Sequence, residues 1–241
     1  MSAPAAAAEA PLPGSIHFYA ELYAHQERRA LLRAVHALEA GVRASLRAGL
    51  DHQVAHVRLA WWQQEAERAA AGQPAHPLAA TLATHCGPAP LGAALLGWVQ
   101  ATQAELAGAH AGDELRQALA ARAGGARFAL LATLLDADGG AARALGDAAA
   151  SLHGAGTASG PARAATTAVL AGLAPALQPP LRPLLVWSVL ALRRARQGDA
   201  APPEHPALGR FALLGDNWLA WRTARAADAG RIQRFHEVRR P

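Results

Sequence analysis

The chain has 241 residues and a formal charge of +5, and 52% of its residues are hydrophobic, many of them alanine. A single cysteine excludes an internal disulfide, and no apolar run reaches about 18 residues, which predicts that no helix spans a membrane. Arginine carries all of the positive charge, a bias that we attribute to a GC-rich coding sequence rather than to nucleic-acid binding. We therefore expect a cytoplasmic protein without a nucleic-acid partner, for which peripheral contact with the inner face of the membrane stays open.

The two ends of the chain differ in composition from the part between them. Residues 1–14 are rich in alanine and proline and lack the basic start and apolar core of a signal peptide. Residues 229–241 are rich in arginine. The sequence therefore predicts a disordered N-terminal tail over 1–14, one helical domain over 15–228 and a basic C-terminal tail over 229–241.

Apolar residues recur at helical spacing, and strand-type alternation is scarce, which predicts an all-α fold. The first helix is expected to run from about Ser15 to Leu46. Its buried face consists of Leu31, Val35, Leu38, Val42 and Leu46. Asp51 is the expected N-cap of a second helix that ends near Gly72. The expected inner stripe of that helix consists of Val54, Val57 and Trp61.

Glycine and proline mark the borders of the later helices. A short helix is expected after Pro77, a fifth helix begins at Gly112 or Asp113, and a sixth follows the turn at 136–140 and reaches about His153. The fourth helix, between these, has a stripe made of Leu91, Leu95, Trp98, Thr102 and Leu106. Three more helices are expected from about residue 159, from the prolines at 179–183, and around Phe211, Leu214, Trp218 and Trp221. Short connections predict an antiparallel bundle of about eight or nine helices.

The segment from Phe18 to Leu82 has the most informative order of residues. It contains Phe18-Tyr19, Arg28-Arg29-Ala30-Leu31-Leu32, the set Arg58, Leu59, Trp62 and Glu65, and finally Gly72-Gln73-Pro74, His76-Pro77-Leu78 and Leu82. This order and spacing resembles the squalene/phytoene synthase family over about residues 16–225, clearly in the first third and faintly afterwards. The resemblance implies an isoprenoid-synthase-like bundle of helices around a central cavity.

Members of that family join two prenyl diphosphates head to head, using magnesium ions held by two aspartate-rich motifs on facing helices. Two carboxylates at i and i+4 share one helix face and supply the hard oxygen ligands that magnesium takes. By the resemblance, the first motif should fall near 42–46, where the chain reads Val42-Arg43-Ala44-Ser45-Leu46. The second should fall near 153–157, where it reads His153-Gly154-Ala155-Gly156-Thr157. Glu39 is the only acid near the first position, so we predict no metal site and no cofactor, with Mg²⁺ needed only by an active enzyme.

Other groups of residues give weaker predictions of a site. Asp136 and Asp138 lie in a glycine-rich turn that lacks the remaining ligands of a calcium loop, so we interpret it as a solvated turn. His85 and Cys86 have no further metal ligand at a suitable spacing, which indicates a buried or half-buried pair. The histidines include no pair that flanks a glutamate as in a zinc hydrolase.

The two tryptophan pairs allow two interpretations each. Trp61 and Trp62 point about 100° apart on a helix, so one should be in the core while the other is available to line a groove. Trp218 and Trp221 share a helix with two arginines. They form either a core seam, which we favour, or a surface that binds a membrane or a partner.

Two classes of function follow from the resemblance, and a helical domain of unrelated role is a third alternative. The first is a catalytically degenerate pseudoenzyme that acts as a binding or assembly protein, as some relatives do for respiratory complex I in mitochondria. The alternative is an active or residual prenyltransferase of isoprenoid biosynthesis. Its ligand would be a prenyl or other lipid-like molecule, and the partner of an assembly protein would be another protein. The expected lining of the cavity or groove consists of Tyr19, Glu39, Val42, Leu46, Arg58, Trp61 and Trp62, with Arg58 pairing with Glu39.

Overall fold

The computed structural model describes residues 10–47, 49–136, 139–150, 182–196 and 210–228, together with positions 164 and 168. Within these residues the chain forms nine helices and no strands, which confirms the all-α prediction. The helices are α1 (Ile16–Leu22), α2 (Gln26–Arg43), α3 (His52–Ala70), α4 (Pro77–Cys86), α5 (Pro88–Ala107), α6 (Asp113–Leu135), α7 (Gly139–Ala150), α8 (Arg182–Arg196) and α9 (Arg210–Asp228). A 3₁₀ turn, Ala44–Leu46, follows α2. The expected helix start near residue 159 and the two chain ends, 1–9 and 229–241, lie outside the described residues.

The first expected helix is interrupted after Leu22, and α2 begins only at Gln26. Ser15 caps α1, since its hydroxyl accepts a hydrogen bond from the Phe18 amide at 3.0 Å. The guanidinium of Arg29 donates to the Leu22 carbonyl at 2.7 Å, one of the acceptors that the end of α1 leaves open. The expectation of one continuous helix is therefore wrong. The sequence does not mark this break, because residues 23–25 include no glycine or proline. The apolar stripe from which the helix was predicted begins only at Leu31, after the break.

The stripes expected in α2 and α5 are confirmed as core. Leu31, Leu38 and Val42 of α2 are buried, and so are all five stripe residues of α5. In α3 the expected stripe is wrong, because Val54, Val57 and Trp61 are exposed. The buried apolar residues of α3 are Ala55, Leu59, Trp62, Ala66 and Ala69. Three of these five are alanines, which a search for large apolar residues passes over.

The borders of α3 and α4 match the expected capping residues. The Asp51 carboxylate accepts hydrogen bonds from the amides of Gln53 at 2.9 Å and Val54 at 3.1 Å. Beyond the other end of α3, Gly72 has a φ of 76°, a left-handed conformation that favours glycine. Pro77 occupies the first turn of α4, where its missing amide proton costs nothing.

Helix α6 lies between α5 and α7 and makes extensive contact with both. It is the one described helix long and apolar enough to cross a membrane by length and composition, and the expectation that no helix spans a membrane stays a prediction. In its most apolar 18-residue window, 56% is buried inside the bundle. The core helix of a soluble bundle has the same length and apolar composition, so these two properties are weak evidence for a membrane span. Because only three residues separate α6 from α7 in the sequence, their extensive contact indicates that the two helices run antiparallel.

Helices α8 and α9 close the bundle against its N-terminal end. Asp216 of α9 is buried and pairs with Arg193 at 2.9 Å and with Arg194 at 3.3 Å. Arg194 also donates to the carbonyl of Gly14 at 2.8 Å. The Tyr23 hydroxyl donates to the side-chain oxygen of Asn217 at 2.7 Å. Polar contacts thus tie the residues around α1 to the last two helices.

Candidate functional site

Three of the five positions expected for the first acidic motif lie in or against the core, while Arg43 is exposed. Val42 is fully buried, Ser45 is 1% exposed, and Leu46 is partly buried against the core. A methyl group placed on Gly41 would lie 2.8 Å from Cζ2 of Trp62, so α2 and α3 are in close contact here. The continuity of this segment with the apolar stripe is therefore confirmed.

Glu39 lies one turn before this segment and is buried. Its Oε1 accepts a hydrogen bond from the guanidinium of Arg127 in the middle of α6. Its Oε2 lies 3.6 Å from Nε2 of His17 and 3.6 Å from Nδ1 of His36. The expected pairing of Glu39 with Arg58 is wrong, because Arg58 is on the exposed side of α3 while Glu39 faces α1 and α6.

The charges around Glu39 keep it ionised. Burial by itself would raise the pKa of this carboxyl. The charge of Arg127, the contact with His36 and the charge of His17 outweigh burial and hold the pKa well below its ordinary value. Glu39 is therefore a carboxylate whose negative charge is already balanced by a guanidinium.

Arg127 is held by aromatic rings as well as by Glu39. Its guanidinium carbon lies 4.9 Å from the ring centroid of Phe128 and 4.6 Å from that of Trp187 in α8. Arg127 was not among the residues predicted from the sequence. The available signal was a lone charged residue in the otherwise apolar second half of α6, from Ala123 to Leu135.

The imidazoles of His17 and His36 stack with their centroids 3.9 Å apart and their planes inclined by 12°. Both side chains are almost fully buried, with 7% and 9% of their surface exposed. Oε2 of Glu39 and both ring nitrogens of His36 are buried without a hydrogen-bond partner. The signal for His36 was its position three residues before Glu39 on one helix. No signal pointed to His17, which reaches the cluster from α1.

The residues that carried the family resemblance in α3 and α4 contact one another. The Glu65 carboxylate is fully buried and accepts hydrogen bonds from the amides of Ala75 at 3.2 Å and His76 at 2.8 Å. It also pairs with Arg68 at 2.8 Å. The rings of Trp62 and His76 lie 5.1 Å apart. These residues fix the path of the chain between α3 and α4.

The remaining expected lining residues lie in different surroundings. Trp62 is buried and Trp61 is 41% exposed, which confirms that one residue of this pair is core and the other is not. Tyr19 is buried. Burial raises its pKa and the negative charge of Asp216 adds to that rise, so Tyr19 lies near the ion pairs of α8 and α9. Arg58 and Trp61 both lie on the outer side of α3.

The outer face of α9 exposes three large apolar side chains. Leu214 is 66% exposed, Trp218 52% and Trp221 45%. Arg222 lies 5.1 Å from the ring of Trp218, and Arg225 lies 5.2 Å from the ring of Trp221. The core seam expected for these tryptophans is wrong, because α9 buries its small and polar residues (Asp216, Ala220, Thr223 and Ala224) instead.

The remaining candidate residues predicted from the sequence, Cys86, Asp136 and Asp138, belong to none of the clusters above. Cys86 is half-buried at the end of α4, and burial raises the pKa of its thiol. Asp136 ends α6 in a left-handed conformation with a φ of 54°. Asp138 and the positions of the second expected acidic motif, 153–157, lie outside the described residues.

Comparisons with models of known protein families, with curated proteins and with solved structures find no match to this chain.

Proposed function

We propose that this chain is a catalytically degenerate relative of the squalene/phytoene synthases that acts as a binding or assembly protein. The observation that carries the proposal is the burial of Val42, at the place where the resembling enzymes need a magnesium-binding carboxylate. The Val42 side chain packs in the core and has no oxygen that could bind a metal. The packing of α2 against the core therefore explains the proposed loss of magnesium binding.

Glu39 does not replace the missing carboxylates. Its charge is balanced by Arg127, and magnesium binding by a lone carboxylate whose other oxygen holds a guanidinium is weak. The second expected position contains no acid in the sequence from His153 to Thr157. Both sides of the diphosphate site that the resemblance implies therefore lack hard ligands.

The surface best suited to binding is the outer face of α9, formed by Leu214, Trp218, Trp221, Arg222 and Arg225. Tryptophan and leucine next to arginine are the residues that place a helix at the interface of a membrane containing anionic lipids. The formal charge of the whole chain is +5, and the sequence directly after α9 adds further arginines. An anionic membrane surface is thus the occupant that the charge of this face favours.

The proposed loss of catalysis is tested by titration calorimetry with farnesyl diphosphate, with and without magnesium. We expect no magnesium-dependent binding, because neither expected motif, at 42–46 or at 153–157, contains a carboxylate that could bridge metal and diphosphate. Tight binding that disappears when the metal is chelated would contradict the proposal and favour an active prenyltransferase. Binding of the same strength with and without metal would indicate recognition of the prenyl chain and would retain the binding role.

A further inference from the structure

Three exposed histidines meet at one end of the bundle. His52 and His56 lie one turn apart at the start of α3, and His110 lies in the connection between α5 and α6. We propose that these three imidazoles form a surface site for a divalent transition-metal ion, and that copper(II) is the ion it binds most tightly. This site is separate from the lost magnesium site and does not depend on the proposed function.

His52 and His56 have the geometry of two ligands on one ion. Their Nε2 atoms lie 3.0 Å apart, their ring centroids lie 4.5 Å apart, and the planes of the two rings are inclined by 86°. Imidazole nitrogen binds a metal at about 2.0–2.1 Å, so two imidazoles bound at a right angle have nitrogens about 2.9 Å and centroids about 4.5 Å apart. The pair therefore matches both distances without any movement of the backbone.

The angle between the two ligands selects the class of metal. A tetrahedral ion such as zinc holds neighbouring nitrogens about 3.3–3.4 Å apart, whereas a square-planar or tetragonal ion holds them at the shorter separation found here. Nitrogen ligands in square-planar or tetragonal geometry are typical of copper(II) and nickel(II). Copper(II) also binds nitrogen sites more tightly than the other divalent first-row metals do. Both the geometry and the order of affinities thus favour copper(II).

His110 is placed to supply a third nitrogen from another part of the chain. Helices α3 and α5 are in extensive contact, and the connection after α5 brings the ring centroid of His110 to 6.4 Å from that of His52. Two imidazoles bound at a right angle need a centroid distance of about 4.5 Å, so the His110 ring has to move by about 2 Å. Exposed side chains change rotamer rapidly, which makes a movement of this size available to His110.

Asp51 adapts the charge at this end of α3 to a cation. The start of a helix carries a partial positive charge, which by itself repels a metal ion. The Asp51 carboxylate caps α3 here, and its Oδ1 accepts hydrogen bonds from the amides of Gln53 and Val54. Its full negative charge offsets the charge of the helix end, and imidazoles that bind a metal are neutral.

The experiment is calorimetric titration of the full chain with Cu²⁺, together with electron paramagnetic resonance, in a buffer that contains glycine. Glycine is a competing chelator that removes copper from the chain terminus and from isolated histidines. We expect one site that withstands this competition and gives a tetragonal copper spectrum with splitting from nitrogen ligands. His56→Ala should weaken Cu²⁺ binding by more than about tenfold, since even residues that only support a metal ligand contribute about 10–100-fold. His110→Ala should remove one nitrogen from the spectrum and weaken binding less.

His85→Ala is the matched control. His85 is another exposed histidine on a helix, at the end of α4, and its replacement should leave both the affinity and the spectrum unchanged. The side chains of His52, His56 and His110 are exposed as well, so their replacement by alanine removes no core contact. Circular dichroism of each variant checks that the helices are retained.

Two results would overturn the proposal. One is loss of all copper to glycine, which would leave the 3.0 Å contact as a hydrogen bond between two imidazoles. The other is binding of undiminished strength in the folded His56→Ala variant. An unchanged spectrum in His110→Ala would overturn the assignment of the third ligand. None of these results bears on the farnesyl diphosphate titration, so the failure of the metal site and the failure of the proposed function are distinguishable.

Discussion

Glu39 and Arg127 form an ion pair inside the bundle, with 11% and 9% of their side-chain surfaces exposed. Burying two charges is costly, and their attraction compensates only when the hydrogen bonds of both are well satisfied. Here the carboxylate accepts from the guanidinium, and the guanidinium lies beside two aromatic rings. The pair thus links α2 to α6 and α8 while remaining vulnerable to the loss of either partner.

Replacing Arg127 with methionine should destabilise the protein by about 3–5 kcal/mol, because the change leaves a buried carboxylate without its counter-charge. Urea denaturation at neutral pH measures the loss. Adding Glu39→Gln to Arg127→Met should recover part of it, since the uncompensated charge is then removed. The control is Arg43→Met, whose partner Glu105 lies 3.0 Å away and whose side chain is 47% exposed, and which should cost less than about 1 kcal/mol. Equal losses in the two single variants would contradict the assigned role of Arg127.

The contacts of Glu65 give a structural role to the residues on which the family resemblance rests. Its carboxylate binds the amides of Ala75 and His76, the very segment that carries the second part of the motif. A buried carboxylate with several donors is a demanding arrangement that specifies a turn closely. The motif in this chain therefore describes how α3 connects to α4, and its presence is compatible with the absence of catalytic acids.

Helices α6 and α7 approach each other through glycine. A methyl group on Gly146 would lie 2.5 Å from the carbonyl oxygen of Gly124 and 2.8 Å from Cα of Gly125. These are backbone atoms, which cannot rotate away as a side chain can. The absence of a side chain at Gly146 thus sets the distance between the two helices.

The substitution Gly146→Ala should destabilise the protein by about 1–3 kcal/mol, the usual cost of inserting a methyl group into a tight contact. Gly97→Ala is the matched control, since Gly97 also lies within a helix but has no atom within 4 Å of the added methyl. The control should stabilise by about 0.5–1 kcal/mol through better helix propensity. Thermal unfolding of the two variants side by side measures both effects, and changes of the same sign would refute the close contact.

Helix α9 should bring the protein to anionic membranes through its tryptophans. We expect the chain to sediment with vesicles that contain phosphatidylglycerol, with a blue shift of tryptophan fluorescence, and to bind phosphatidylcholine vesicles much less. The double variant Trp218→Phe, Trp221→Phe should bind less and lose most of the shift, because tryptophan prefers the membrane interface.

Trp61→Phe is the control for this experiment. Trp61 is 41% exposed and has Arg68 5.8 Å from its ring, so it resembles the α9 tryptophans but lies on another helix. Its replacement should leave vesicle binding unchanged. Failure of the wild-type chain to bind anionic vesicles, or equal binding by the double variant, would contradict the membrane-binding role proposed for the outer face of α9.

At the scale of the whole molecule, the class of fold and most helix borders follow from the sequence, because periodicity and capping are local. Asp51, Gly72 and Pro77 mark their borders through side-chain hydrogen bonds or backbone conformations within a few residues. The break after Leu22 leaves no such mark, since it is stabilised by Arg29 from the next helix.

The site could be predicted only in part, because its contacts are distant in sequence. Glu39 stood out as a lone acid, but its partner Arg127 is 88 residues away and no local pattern connects the two. The tryptophans of α9 were assigned to the wrong side for a related reason. Hydrophobicity favoured burial, whereas Asp216 is drawn inward by Arg193 and Arg194 of another helix and turns the tryptophans outward.

The contacts that hold α1 have a consequence for the order of folding. Tyr23 binds Asn217, and Arg194 binds the carbonyl of Gly14, across 194 and 180 residues of chain. Closing such long loops costs entropy that is recovered only once both ends are present. During synthesis α1 therefore leaves the ribosome long before its partners exist. We therefore expect α1 to reach its native position only after α8 and α9 have formed.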